Sequence, residues 1–197
     1  MTTASGTSAT AFGDTAPPAE WFLRRASGYL ELAQLLADGD APPPPSARAV
    51  LQRALDELGQ LGEPDRTATP ASLIEGEAFR ASGDWAAALA PFTRATAGDA
   101  GRLEAWLGLG WCRKRLGDVP GAIAALEQGL ARHPRQAILL YNLACYHALG
   151  GNVSAAVDHL ARAIALDSRY RDLTAAEHDF DPIRDDPRFV AATSVTA

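Results

Sequence analysis

The sequence predicts an all-α chain, an α-solenoid of antiparallel helix hairpins, and three observations carry that prediction. Gly83, Gly117 and Gly151 stand 34 residues apart, and the same interval links Ala88, Ala122 and Ala156, then Phe92, Leu126 and Leu160, then Ala95, Gly129 and Ala163. Each glycine is followed by Asp84, Asp118 or Asn152. Glycine supplies the left-handed backbone that ends one helix, and the Asp or Asn side chain caps the next. Between the turns, Trp106, Leu109, Gly110 and Arg113 fall at helical spacing, as do Ala122, Leu126 and Gly129. A fixed period of this length marks a solenoid, whose hairpins bury their apolar faces against one another.

In chain order, residues 1–16 are rich in Ser, Thr, Ala and Gly without periodicity and read as a disordered tail. From Pro17 to Leu36 an apolar stripe of Trp21, Phe22, Leu23, Tyr29, Leu32 and Leu36 predicts a helix. Pro42 to Pro45 form a run that no helix contains, and Ser46 is placed to cap a helix from Ala47 to Leu61. Residues 17–61 therefore read as a degenerate hairpin with a turn lengthened by proline, and 62–68 as a linker. Three full copies follow, 69–102, 103–136 and 137–170, the first opening on Thr69-Pro70 as a cap and a first-turn proline. Pro91 interrupts the second helix of the first copy, where it can cost about 3 kcal/mol, and predicts a kink. Gly76, Gly110 and Ala144 form a further register of small residues where the two helices of each hairpin cross. Residues 171–197 start no new repeat; Asp181-Pro182 and Asp186-Pro187 predict two short helical pieces that cover the last hairpin.

The central copy resembles the tetratricopeptide repeat (TPR) family through Trp106, Leu109, Gly110, Ala122, Leu126, Gly129 and Pro134, with Arg113 where that family has Tyr. The first copy keeps Gly76, Phe79, Gly83, Ala88, Phe92 and Ala95 but has Ser72 and Glu75 where Trp and Leu are usual. The third keeps Leu143, Ala144, Gly151, Ala156, Leu160 and Ala163, with His147 in the Tyr position. The final segment resembles the closing motif of many bacterial TPR arrays. The resemblance implies a right-handed superhelix whose ligands lie in a concave groove lined by the first helices. Its positions here are Leu73, Glu77 and Arg80, then Leu107, Trp111, Lys114 and Arg115, then Tyr141, Asn142 and Cys145. Aromatic side chains beside cations suit a peptide with acidic and apolar side chains. The clamp by which some TPR proteins grip acidic chaperone tails would fall on Leu73, Glu77, Gly108, Ile138 and Asn142, which supply no cation.

Of the 197 residues, 47% are apolar, ample for a core, and the net charge of −6 with dispersed basic residues argues against a nucleic-acid surface. Cys112 and Cys145 are too few for a disulfide framework and read as buried free thiols. The leading MTTASGTSATAFGDTAPPAE has no charged n-region or apolar core, so the expectation is a cytoplasmic chain without membrane contact. His147 and His159 approach across one hairpin, but Cys145 is two positions from His147 and on another face, so no metal site is expected. Asp179, Asp181, Asp185 and Asp186 lack the glycine turn of a calcium loop and suit capping. Arg113, Lys114 and Arg115 point in different directions on a helix. No nucleophile-base pair or phosphate loop is present, which argues against an enzyme and calls for no cofactor. The functional expectation is a non-catalytic adaptor or scaffold for a protein or peptide of unspecified identity. The alternative is a structural subunit that self-associates through its outer face or first hairpin, the oligomeric state being left open.

Overall fold

The computed structural model describes residues 17–37 and 42–194, so the tail 1–16 and residues 38–41 and 195–197 lie outside the described residues. Among the described residues every regular element is helical. The first hairpin pairs α1 (Ala19–Leu36) with α2 (Pro45–Gly59). A 3-10 turn at Asp65–Thr67 leads to α3 (Thr69–Ser82) and α4 (Trp85–Gly98), then α5 (Leu103–Arg115) and α6 (Val119–Arg132), then α7 (Ala137–Leu149) and α8 (Val153–Leu166). The chain closes with α9 (Arg169–Leu173), a 3-10 segment at His178–Ile183 and α10 (Pro187–Thr193). Each hairpin stacks on the next: α2 on α3, α4 on α5 and α6 on α7. The fold is the TPR-like α-solenoid that the period predicts.

The repeat turns work as their residue types require. Gly83, Gly117 and Gly151 have φ of 85°, 82° and 74°. The next residue's N–H then reaches back to a carbonyl five positions earlier: Asp84 to Phe79, Asp118 to Arg113 and Asn152 to His147, each at 2.9 Å. The side chains of Asp84, Asp118 and Asn152 accept the N–H groups of Ala87, Gly121 and Ala155 at 3.0, 2.9 and 3.2 Å. The small residues permit the crossings. A Cβ on Gly76 would lie 2.9 Å from the Phe92 ring, and one on Gly110 2.8 Å from Leu126.

Three local expectations, all of them caps, are corrected. The first turn of α2 includes Ser46; Pro44 precedes the helix and no side chain caps it, since the proline run already fixes φ. Thr69 is the first residue of α3 rather than its cap, and Ala68 precedes it. The helix α4 continues through Pro91, which is buried beside Ala88, Phe92 and Ala95. Asp186 does cap α10, accepting the Arg188 N–H at 2.9 Å, but Asp181 lies inside the 3-10 segment. The cap there is Glu177, which takes the Asp179 N–H at 3.0 Å, while Asp181 binds Arg184.

Phe180, Ile183 and Phe189 of the C-terminal segment are buried in one cluster with Leu140, Tyr141 and Leu160. The 3-10 segment lies on α7 and α10 on α8, so the apolar end of the last hairpin is covered. No helix among the described residues is long and apolar enough to cross a membrane.

Candidate functional site

The residues assigned to the ligand groove sit on α3, α5 and α7, and the structure divides them into two sections. In the first, Leu73, Glu77, Arg80, Leu107 and Trp111 are half-buried and Arg115 is exposed. Glu77 accepts a hydrogen bond from Arg80 Nε at 2.8 Å, which fixes that guanidinium 5.2 Å from the centre of the Trp111 ring. Trp111 meets Trp85 edge to face, with centroids 4.7 Å apart at 82°. Arg115 lies over both rings, 5.1 Å from Trp85 and 5.6 Å from Trp111, and makes no ion pair among the described residues. Two indoles and two guanidiniums thus form one cluster. Trp85 was not among the expected groove residues because it belongs to a second helix. The signal for it was its place directly after the Gly83-Asp84 turn, where the start of α4 comes level with the end of α5.

The second section is occupied by the chain itself. Lys114 Nζ contacts both carboxylate oxygens of Asp179, at 2.6 and 2.7 Å. Tyr141 is only 7% exposed, its ring 4.8 Å from Tyr170 and 5.8 Å from Phe180. Cys145 is 2% exposed beside Glu177 and Asp179. Asn142 spends its amide on the Ile138 carbonyl at 2.8 Å. Tyr141 and Cys145 are therefore core residues beneath the C-terminal segment and present no surface to a ligand. The run Arg113-Lys114-Arg115 does diverge: Arg113 donates to the Gly121 carbonyl at 3.2 Å, Lys114 goes to Asp179 and Arg115 to the tryptophans.

Burial pushes the thiols of Cys112, to about 11, and of Cys145, still further, above the ordinary cysteine range, and both are free. The donor atoms of Cys145, Glu177 and Asp179 lie within 4.8 Å of one another. They fit a metal poorly, since the thiol is held protonated and the Lys114 ammonium already sits on Asp179. His147 and His159 stack with centroids 5.4 Å apart and planes 3° from parallel. In-plane lone pairs of parallel rings do not converge on a single ion.

Residues 79–144 match the family model for the tetratricopeptide repeat. No curated protein sequence matches this chain at a significant level. Among solved structures it is similar to MamA, at 17% identity and a TM-score of 0.62, over 80% of this chain and 92% of that one. It is similar also to residues 41 to the end of MamA from Desulfovibrio magneticus RS-1, at 16% identity and a TM-score of 0.58, over 85% and 93% of the two chains. A third likeness is to YrrB, a TPR protein with an unusual peptide-binding site, at 18% identity and a TM-score of 0.61, over 80% and 73%. Identities this low speak to fold alone. Period, turn chemistry, stacked hairpins and the match over 79–144 together show a TPR-like α-solenoid that carries tetratricopeptide-repeat sequence over those residues.

Proposed function

We propose that the chain is an adaptor that holds an acidic peptide, carrying at least one apolar or aromatic side chain, against the first helices of its array. The observation behind this reading is the cluster of Arg80, Trp85, Trp111 and Arg115. Arg80 is held by Glu77, whereas Arg115, over the indoles and without an acidic partner among the described residues, keeps its N–H edge free to take a carboxylate in two parallel hydrogen bonds. Stacking also fixes the side chain before the ligand arrives, which lowers the ordering cost of binding. Tryptophan and arginine are the residue types that most often anchor interfaces. The chain satisfies the same chemistry internally next door, where Asp179 meets Lys114 and Phe180 packs on Tyr141. That neighbouring segment is read as the end-of-array closing motif of bacterial type. Two buried free thiols suit a reducing compartment, which supports reading the adaptor as cytoplasmic.

The test is affinity purification from the native cell, comparing wild type with a Trp111→Ala, Arg115→Glu double variant, after circular dichroism shows both folded. Lys114 is left unchanged because it holds Asp179. A partner lost only from the variant supports the reading. A partner retained by both, or none with either, overturns it.

A further inference from the structure

Among the described residues, the N-terminal end of the solenoid lacks the cover that its C-terminal end has. Of the nine exposed large hydrophobic residues among those described, four lie on α1: Trp21, Leu32, Leu35 and Leu36, with Leu35 83% exposed. The rest are spread one by one over later turns and helices. Trp21, Gly28 and Leu35 are seven residues apart, two turns each, so they share a line along the helix, and Leu32 lies beside it. Ala26 and Ala33 face the opposite way, into the core. Gly28 is close to the midpoint of α1, and a Cβ built on it meets nothing within 4 Å. The stripe therefore has a bare centre, with an aromatic anchor about 10 Å to one side and an aliphatic one about 10 Å to the other.

We infer that this stripe is a docking surface for a second copy of the chain, with the two α1 helices antiparallel and crossing at Gly28. A two-fold axis there is self-complementary: Trp21 of each copy meets Leu35 of the other, and the missing side chain at the crossing lets the backbones approach. The charges select the same arrangement. Arg24 and Glu31 are exposed on one flank of the stripe, about 6 Å before and 4.5 Å after the crossing. Antiparallel pairing brings Arg24 of one copy against Glu31 of the other, twice. Parallel pairing would set Arg24 against Arg25 of the second copy, a like-charge contact. Among the described residues Arg24 pairs only with Glu20, in a pair about 80% exposed on both sides, so its guanidinium is available. This surface is remote from the tryptophan cluster, and the inference stands apart from the peptide-binding reading.

The full-length chain is tested by light scattering coupled to size exclusion across about 1 to 200 µM, a range that reveals micromolar association. The wild type is expected to be dimeric. Arg24→Glu and Glu31→Arg, both surface changes, should each weaken the dimer about tenfold or more by setting like charges together, and the double variant should restore it. Gly28→Cys should give an interchain disulfide on mild oxidation, and Gln34→Cys should not. A chain that stays monomeric overturns the inference. So does a dimer that ignores the charge changes, or one that forms only after residues 1–16 are deleted, which would make the chain's own leading segment the occupant.

Discussion

The Glu75 carboxylate takes two parallel hydrogen bonds from the Arg66 guanidinium, at 2.6 and 2.9 Å, at a position where the repeat pattern calls for leucine. Arg94 of α4 adds a third contact to the same carboxylate and a weaker one to Ser72, which stands where the pattern calls for tryptophan. Two departures that looked independent in the sequence are thus one device. The first full hairpin joins its helices to the preceding 3-10 turn through a half-buried charge network in place of an apolar contact. Glu75 holds the Arg66 charge in place, raising the pKa of that guanidinium.

Glu75→Leu restores the family residue and is nevertheless expected to destabilise the chain. It leaves two guanidiniums facing an apolar side chain in a site where the Glu75 side chain is 10% exposed. Removing one member of such a network costs about 3–5 kcal/mol when fully buried, and the partial exposure of both arginines lowers this to about 2–3 kcal/mol. Urea denaturation measures the difference. A Glu75→Leu, Arg66→Leu, Arg94→Leu triple variant should recover most of it, and a single variant as stable as the parent would refute the network's role.

A glycine outside the small-residue register gives a second prediction. A Cβ on Gly108 would come within 2.4 Å of the Phe92 ring, which is fully buried. Gly108→Ala gains about 1 kcal/mol of helix propensity and loses about 1–3 kcal/mol to overpacking, so a net loss is expected. Phe92→Leu on the same background should recover part of that loss, because a smaller neighbour relieves the clash. Additive effects of the two changes would show that they do not meet.

How much of this was legible follows from which forces are local. The turns were readable because Gly83 and Asp84 and their counterparts settle the backbone by their own residue types. The crossings were readable because the period repeats them. Trp85 escaped because its contact with Trp111 joins the start of one helix to the end of another, and only the stacking of hairpins makes them neighbours. Tyr141 and Cys145 were assigned to a ligand surface since nothing in their own repeat says that Phe180, some 35–40 residues later, lies over them.

The C-terminal cover predicts a thiol pattern. Cys112 and Cys145 are both buried, and burial holds both thiols protonated at neutral pH. A soluble disulfide reagent should react slowly with each in the wild type. Phe180→Ala removes a fully buried ring from the cluster over α7 and loosens the segment carrying Asp179. Labelling of Cys145 should then accelerate at least tenfold while Cys112, in the neighbouring cluster with Phe92 and Trp106, stays slow. Peptide mapping separates the two sites, and equal acceleration at both would indicate general unfolding instead.

The stacked histidines predict the direction of acid sensitivity. Burial lowers the pKa of His147 and of His159 below the ordinary 6.5, and for His159 the His147 ring and Arg162 act in the same direction. Asp158 and Glu127 oppose them without reversing the sign. His159 Nδ1 is also buried without a hydrogen-bond partner, so the site is suited to the neutral ring. A lowered folded-state value means that the unfolded chain binds protons first as pH falls. Stability should therefore be full above about pH 7 and decline as pH drops through 6.5 toward the folded values. The carboxylates held low by arginines, Asp167, Asp181 and Asp186, lose their contribution only below the ordinary 3.8, so pH 5–7 isolates the histidines. Urea midpoints at pH 7.5 and 5 should separate in the wild type and draw together in His159→Phe, which keeps a ring on His147 but removes the charge. A variant with the parent's pH dependence would assign the effect to other groups.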